Sequence, residues 1–499
     1  MTLRLLRSLA CAASLIALGA CATVGPNFAT PTAPAVPGYA QAGDVPVTQA
    51  AIGDRLAGDW WALFRSPEID ATVRQAVAGN HSLESARASL AQARDTVAAQ
   101  QSRLSLDANA GVNEDRVNLT SFGFNQFPGP NGPITLENPT FTIFSFGLSG
   151  KYDFDLFGQR RREHEERLAR AETQAWQTDA AYLTLTAQVV GQAVAIASLR
   201  AQIAAAEDIT RSDQQNLDLV TKAYQLGGGT RLDVSTVQIE LASDQALITP
   251  LRQQLAVSRH ALALLVGQAP ADWAPPDFDL DHITEPTSVP VELPSVQVRD
   301  RPDIRAAEAR LHAATAQIGV AQADLYPKIT LDASITQSAL HPWDLFKYAA
   351  TGFSAGPGVS VPLFHGDELK AKVRVAQDAA RGALADYQQT VLSAFVQVAD
   401  SLQAVAHDDQ SIADADAELK ASTDSLRLQR LRYQDGKVGL LPVLDNQRSY
   451  ARSRLAVIRA RAQKLQDTAA LLYAVSRNWD PAATTAAPQV ATAATATSR

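Results

Sequence analysis

The sequence predicts a mainly α-helical protein with a transmembrane β part, built from two internal repeats. Three observations carry this expectation. A glycine-centred turn occurs twice, as NLDLVTKAYQLGGGTRLDVSTVQIEL from Asn216 to Leu241 and SLRLQRLRYQDGKVGLLPVLDNQRSY from Ser425 to Tyr450. A shift of 209 places Tyr224 on Tyr433, Gly227 on Gly436, Leu232 on Leu441 and Val234 on Val443. Long apolar runs spaced by three or four flank both turns, which is the pattern of one helix face. Elsewhere in each repeat the period switches to two, the pattern of a strand with one apolar and one polar face.

Composition narrows the function classes. The 499 residues carry a net charge of −8, which argues against a general nucleic-acid binder. Aromatics are few and Met occurs once, which suits long, closely packed helices. No apolar stretch of 18 or more residues follows the N-terminal segment, so no transmembrane helix is expected.

Residues 1–20 read as a signal peptide: Arg4 and Arg7 precede an apolar segment from Leu9 to Leu18. Leu18-Gly19-Ala20-Cys21 resembles the bacterial lipobox and makes Cys21 the expected lipidation site; ordinary cleavage beside an incidental Cys is the competing reading. Cys11 lies within the signal, so the mature chain would have no intrachain disulfide. Ala22, rather than Asp, after the lipidated Cys favours the outer membrane.

Residues 21–50, rich in Pro, Gly and Thr, are expected to be extended. The first repeat is assigned to 51–267, a Pro- and Asp-rich equatorial linker to 268–301, the second repeat to 302–479, and a disordered Ala/Thr tail to 480–499. Trp60-Trp61 opens a short helical region and reads as core, with Pro67 suited to a first helical turn. Leu83, Ala86, Leu90, Ala93 and Val97 form a helix face that Ile304, Ala307, Leu311, Ala314 and Ile318 repeat with a shift of 221.

Alternation follows each of these helices. Leu104, Leu106, Ala108, Ala110 and Val112 share one face; after a turn-rich loop from Phe124 to Pro139, so do Phe144, Phe146, Leu148, Tyr152, Phe154 and Leu156. In the second repeat Ile329, Leu331, Ala333 and Ile335 alternate, then, beyond a loop at His341-Pro342, Val359, Val361 and Leu363. Transmembrane β-barrels have this signature, and so does a half-buried soluble sheet. Absence of a spanning helix and the lipobox favour the barrel. Four strands cannot close one, and open edges are not tolerated in lipid, so several copies are required, two or three being open on this argument.

The long helices are expected between Gly158 and Gly227 and between Gly366 and Gly436, each about 100 Å at 1.5 Å per residue. Return runs span Thr230 to Val266 and Gly439 to Val475. Little looks catalytic. His164-Glu165-Glu166 is not HExxH, and Gly227-Gly228-Gly229-Thr230 lacks the Lys of a phosphate loop. Asp107, Asp153, Asp155 and Asp332 read as solvated residues of a polar strand face. No enzyme, metal or cofactor is expected beyond the covalent lipid on Cys21.

Several motifs together resemble the bacterial outer membrane efflux proteins (TolC-like outer membrane factors), in the lipoprotein branch that serves RND-type pumps. They are Gly25-Pro26-Asn27-Phe28, Trp60-Trp61 with Phe64, Tyr152 to Gly158 (YDFDLFG), Arg301-Pro302-Asp303-Ile304, Ala323 to Pro327 (ADLYP), Val361 to Phe364 (VPLF), and Asp445 with Gln447-Arg448. The resemblance implies a homotrimer with a 12-stranded β-barrel, four strands per chain, continued by a long periplasmic α-helical barrel. It implies an exit duct in the outer membrane lipid for small amphipathic compounds, with a periplasmic adaptor and an inner membrane RND pump as partners. Gly227, Gly228, Gly229, Thr230, Gly436, Val438, Gly439 and Leu440 would be the adaptor-docking tips, and Leu441 and Asp445 the periplasmic aperture. For Asp445 a dipole-stabilising place at a helix N-terminus competes. A type I protein secretion duct and a non-transport coiled-coil scaffold are the alternatives. Two departures stand out: the first repeat lacks a counterpart of Tyr326-Pro327, and Pro442 stands where the twin turn has Asp233.

Overall fold

The computed structural model describes residues 23–32, 38–45, 50–52, 58–99, 104–116, 126–130, 132–135, 140–286, 289–291 and 300–476. Cys21, the signal segment and the 480–499 tail lie outside the described residues. In chain order the elements are β1 (Ala50–Ile52), a 3-10 turn (Trp60–Phe64), α1 (Pro67–Gly79), α2 (His81–Ala99), β2 (Leu104–Arg116), β3 (Gln126–Gly129), β4 (Gly132–Thr135) and β5 (Thr140–Asp153). Then come α3 (Gln159–Gln225), α4 (Arg231–Val266), β6 (Val289–Val291), α5 (Pro302–Ala323), β7 (Lys328–Ala339), β8 (Thr351–Ser360), α6 (Gly366–Gln434) and α7 (Leu441–Val475). The long helices α3 and α6 have 67 and 69 residues, as the glycine spacing predicts.

Two compact units draw on both halves of the chain. One comprises Met1–Ala29, Ala93–Ala171 and Arg310–Leu384. Its centre is an antiparallel sheet of order β2-β5-β7-β8. The register sets Val112 on Phe144, Ala108 on Leu148, Leu148 on Ile335 and Ile335 on Phe353, so the apolar residues of all four strands share one face. Leu106, Val112, Phe353 and Val359 are exposed on it. The other face carries Asp107, Asn109, Lys151, Asp332, Ser334 and Ser354, with Ser334 and Ser354 hydrogen-bonded at 2.9 Å. A soluble sheet would cover its apolar face; here that face is left uncovered, as in a membrane barrel.

The strand ends differ from expectation. β5 stops at Asp153 and β8 at Ser360, leaving Phe154, Leu156, Val361 and Leu363 outside the sheet. Asp155, expected on a polar strand face, adopts φ 46° and caps α3 instead. Its carboxylate accepts the N–H groups of Arg160 at 2.9 Å and Arg161 at 3.2 Å, donors that a helix N-terminus leaves open. Strands β3 and β4 pair as a short hairpin inside the segment expected to be only a loop.

The N-terminal segment is strapped to the same unit. Arg162, only 3% exposed, donates to the carbonyls of Val24 (3.0 Å) and Gly25 (3.1 Å) and to Asn27 Oδ1 (2.8 Å). Phe28 stacks on His312 at 4.4 Å, and His312 Nε2 lies 3.0 Å from Glu165 Oε1. Gly25 has φ 93°, and a Cβ there would lie 2.4 Å from the Gly319 Cα, so no side chain fits.

The second unit comprises Thr30–Gln92, Glu172–Ala309 and Ala385–Arg499. Trp60, Trp61 and Phe64 are buried there with Tyr182, Val190, Leu262, Leu471 and Leu472. Each such side chain contributes roughly 2–3 kcal/mol by leaving water. Both indoles keep a partner: Trp60 Nε1 donates to Thr186 Oγ1 at 3.3 Å and Trp61 Nε1 to Asp70 Oδ1 at 3.0 Å. Ser66 caps α1 through the Ile69 N–H, and Pro67 occupies its first position. Segment 268–301, expected as a bare linker, supplies β6, which pairs in parallel with β1. The most apolar 18-residue window of α3 has mean hydropathy 1.4 and is 56% buried, the setting of a core helix.

Candidate functional site: the paired helical bends

Both bends end their long helix in the same way. Gly227 (φ 79°) donates its N–H to the Tyr224 carbonyl at 3.0 Å, and Gly228 donates to Ala223 at 2.9 Å. Gly436 (φ 68°) donates to Tyr433 at 3.0 Å, and Lys437 to Arg432 at 2.9 Å. This is a Schellman closure, with the left-handed residue just past the helix.

The bends restart differently. Thr230 and Asp233 form a capping box: Thr230 Oγ1 accepts the Asp233 N–H at 3.2 Å, and Asp233 Oδ2 accepts the Thr230 N–H at 2.9 Å. The Thr230 hydroxyl, donated to Asp233 Oδ2 at 2.7 Å, and then the Thr230 N–H hold the Asp233 carboxyl below its ordinary range. The second restart has no side-chain cap; Leu440 is helical, and Pro442 falls in the first turn, where its missing N–H costs nothing.

An apolar cluster ties the bends together. Val220, Val237 and Leu444 are buried with Leu217, Val234 and Leu440 packed against them. Leu440, a candidate tip residue, is thus drawn inward. Gly227, Gly228, Thr230, Gly436 and Gly439 are exposed; Gly229 and Val438 are partly covered. Leu226, absent from the sequence-derived tip residues, is 88% exposed. It occupies the C-cap of α3, whose twin is Asp435, so an alignment of the two turns does not mark it.

Leu441 begins α7 and is exposed. Asp445 is one residue past the first turn, and no acidic residue lies within that turn, so the helix-dipole reading finds little support. Asp445 Oδ1 instead lies 3.4 Å from Arg448 Nη1. Arg448 also pairs with the buried Glu240 of α4. One step along, Gln447 Nε2 donates to Oδ1 of Asp213 on α3, and Asn216 Nδ2 donates to Gln447 Oε1 at 3.0 Å. Asp213 is fully buried, and its Oδ2 meets no donor among the described residues. Burial, Asp244 and Glu240 push its carboxyl well up, and burial raises Asp244 as well. A proton shared between these two carboxyls fits both observations. A cleft of about 370 Å³ opens beside them, lined by Ile209, Leu247 and Leu455 with Glu240, Asp244 and Arg448.

The sequence reading did not find Asp213, Glu240 or Asp244. Isolated acids inside 36- and 67-residue helices look solvated until the packing partner is known. Glu240 and Asp244 lie four apart on one face of α4, the one local signal available. His164-Glu165-Glu166 gathers no metal site: among the described residues no group of three or more His, Cys, Asp or Glu is placed to hold a metal.

A four-stranded sheet with an exposed apolar face, joined to helices of 67 and 69 residues that reverse at glycine bends, defines the class: a membrane channel subunit with a helical extension. The chain belongs to the outer membrane efflux protein family, whose sequence profile matches residues 72–268 and 293–476. It is an outer membrane channel protein of that family and serves as an exit duct for efflux. The chain is 28% identical over 421 residues to the pyoverdine export outer membrane protein OpmQ of Pseudomonas aeruginosa, covering 84% of this chain and 87% of that one. It is 26% identical over 475 residues to the toluene efflux pump outer membrane protein TtgC of Pseudomonas putida, covering 94% and 95%. The outer-membrane channel OprN matches with a TM-score of 0.78 at 26% identity, over 91% of this chain and 99% of that one.

Proposed function

We propose that three copies of this chain form the exit duct of a tripartite efflux pump, conducting small amphipathic compounds from the periplasm to the outside. The single observation that carries the reading is the sheet: four strands, two open edges at β2 and β8, and an exposed apolar face. In lipid those edges must be paired, and three such sheets supply the strands of a closed barrel.

In this reading Cys21 carries the lipid anchor. The exposed bends around Gly227–Gly229 and Gly436–Gly439, with Leu226 added, meet a periplasmic adaptor, beneath which an RND pump sits. Leu441 and Asp445 narrow the periplasmic aperture. Arg448 offsets the Asp445 charge, so a ring of three such carboxylates would repel itself less than three bare ones. The export named for OpmQ and for TtgC supports small-molecule cargo.

Deleting the gene and measuring tolerance to drugs and solvents alongside secreted protein tests the cargo. Reduced tolerance with unchanged secretion is expected; unchanged tolerance with a lost secreted protein would overturn the efflux reading. Cross-linking in native membranes tests the copy number, a trimer band being expected and a dimer limit excluding it.

A further inference from the structure

Away from the bends, one lysine gathers carboxylates from three separate stretches of chain. Lys464 on α7 is only 6% exposed. Its Nζ lies 2.6 Å from Glu285 Oε1, in the segment between the repeats, and also donates to Asp409 Oδ1 on α6. Burial works against its charge, but the bonds to Asp409 and Glu285 outweigh burial and raise the ammonium above the ordinary lysine range. Just before Glu285, Ile283 is buried and the Thr284 N–H donates to the Phe64 carbonyl at 3.0 Å. Lys464 thus fastens the inter-repeat segment to α6 and α7.

A second pair of acids competes for the same ammonium. Asp408 precedes Asp409 on α6 and is 8% exposed, and its Oδ2 meets no donor among the described residues. Asp467 lies three residues after Lys464 on the same face of α7 and accepts from Gln463 Nε2 at 2.9 Å. Burial first, and then the Asp467 charge, push the Asp408 carboxyl up to about 7, against the pull of Lys464. Below that pH, Asp408 holds a proton that the pair can share, so the pair makes little demand on the lysine. Above it, two like charges face each other away from water. Other cations nearby are engaged: Arg461 lies 3.5 Å from Asp416, and His282 stands 3.4 Å from Asp279. Lys464 is the charge on which both sets of acids draw.

We propose that Lys464 is a latch on the inter-repeat segment, worked by the proton between Asp408 and Asp467. With that proton in place, the ammonium holds Glu285 and Asp409. When the proton leaves, the ammonium swings on its flexible four-carbon stem to the Asp408–Asp467 pair and lets Glu285 go. The segment is then fastened in mild acid and loosened in mild alkali.

The test places a nitroxide label at Thr284→Cys in the full-length protein in lipid nanodiscs. Thr284 is exposed and adjoins Glu285, and a Cys there keeps the backbone bond to Phe64. Its spectral lineshape is followed from pH 5.5 to 8.5. The mobile fraction should rise several-fold, with a midpoint near pH 7. Asp408→Asn, which cannot lose the proton, should keep the label immobile throughout. Lys464→Gln and Glu285→Gln should leave it mobile throughout; if Lys464→Gln fails to fold, Asp408→Asn and Glu285→Gln still decide. A lineshape in the parent that ignores pH would overturn the latch. A pH response that survives in Asp408→Asn would overturn it in favour of another group, such as His282. A label that stays immobile in Glu285→Gln would show that the ammonium does not hold the segment.

Discussion

Arg448 on α7 joins Glu240 on α4 to Asp445 on its own helix, so one guanidinium couples a buried carboxylate to an exposed one. The coupling crosses from one hairpin of the chain to the other, next to the bends.

Removing Arg448 leaves Glu240 buried without its partner. Arg448→Ala should cost about 1–2 kcal/mol, less than for a fully buried pair because the guanidinium is 40% exposed and screened by water while Glu240 is buried. Thermal melting in detergent checks the stability, and planar-bilayer recording should show raised resting conductance. Arg448→Ala combined with Glu240→Gln should recover much of the stability, because the orphaned charge is gone.

The Asp213–Asp244 pair predicts a pH dependence of definite sign. Asp213 titrates higher in the folded protein than in the unfolded chain, so the native state holds the extra proton. Its contribution to stability is fully present below the unfolded carboxylate range and is lost as pH rises through the folded pKa, near 8. Asp213→Asn keeps an acceptor for Gln447 and offers Asp244 a permanent donor. Above that pH the variant should be more stable than the parent by about 1–2 kcal/mol. Melting curves from pH 5 to 9 check it; a parallel shift at every pH would count against the shared proton.

Gly227→Ala and Gly436→Ala should each destabilise by about 1 kcal/mol, since both positions need a left-handed backbone although the space around them is empty. Gly228→Ala, with ordinary clearance and no positive φ, should be near neutral. Hydrogen exchange of the last turns of α3 and α6 would read the difference locally.

Gly25→Ala should unseat the N-terminal strap through its collision with Gly319. Limited proteolysis should then cleave near residue 25 in the variant and spare the parent. Arg162→Ala should behave alike, as it removes three hydrogen bonds to the same segment.

Much of this fold was legible because its elements are periodic and glycine punctuates them. Gly158, Gly227 and Gly436 bound the long helices, and strict alternation from Leu104 to Val112 assigned the sheet face before any register was known. Strand ends were less legible. Phe154 and Leu156 continue the alternation, yet Asp155 leaves the sheet to cap α3, a tertiary bargain between a carboxylate and unpaired helix amides that periodicity does not encode. The site was half legible for a related reason. Bends are local chemistry, whereas Asp213, Glu240 and Asp244 acquire their character from a helix more than 200 residues away in sequence, through Gln447 and Arg448.

The strap at Val24–Phe28 has a mechanical consequence for any lipid on Cys21. Only Ala22 separates Cys21 from Thr23, which closes against Gly158, and two Cα–Cα steps reach about 7 Å at full extension. Acyl chains so placed would have almost no leash. They would act as a peg driven beside each protomer, setting the height at which the wall stands in the bilayer, rather than as a tether on which it drifts.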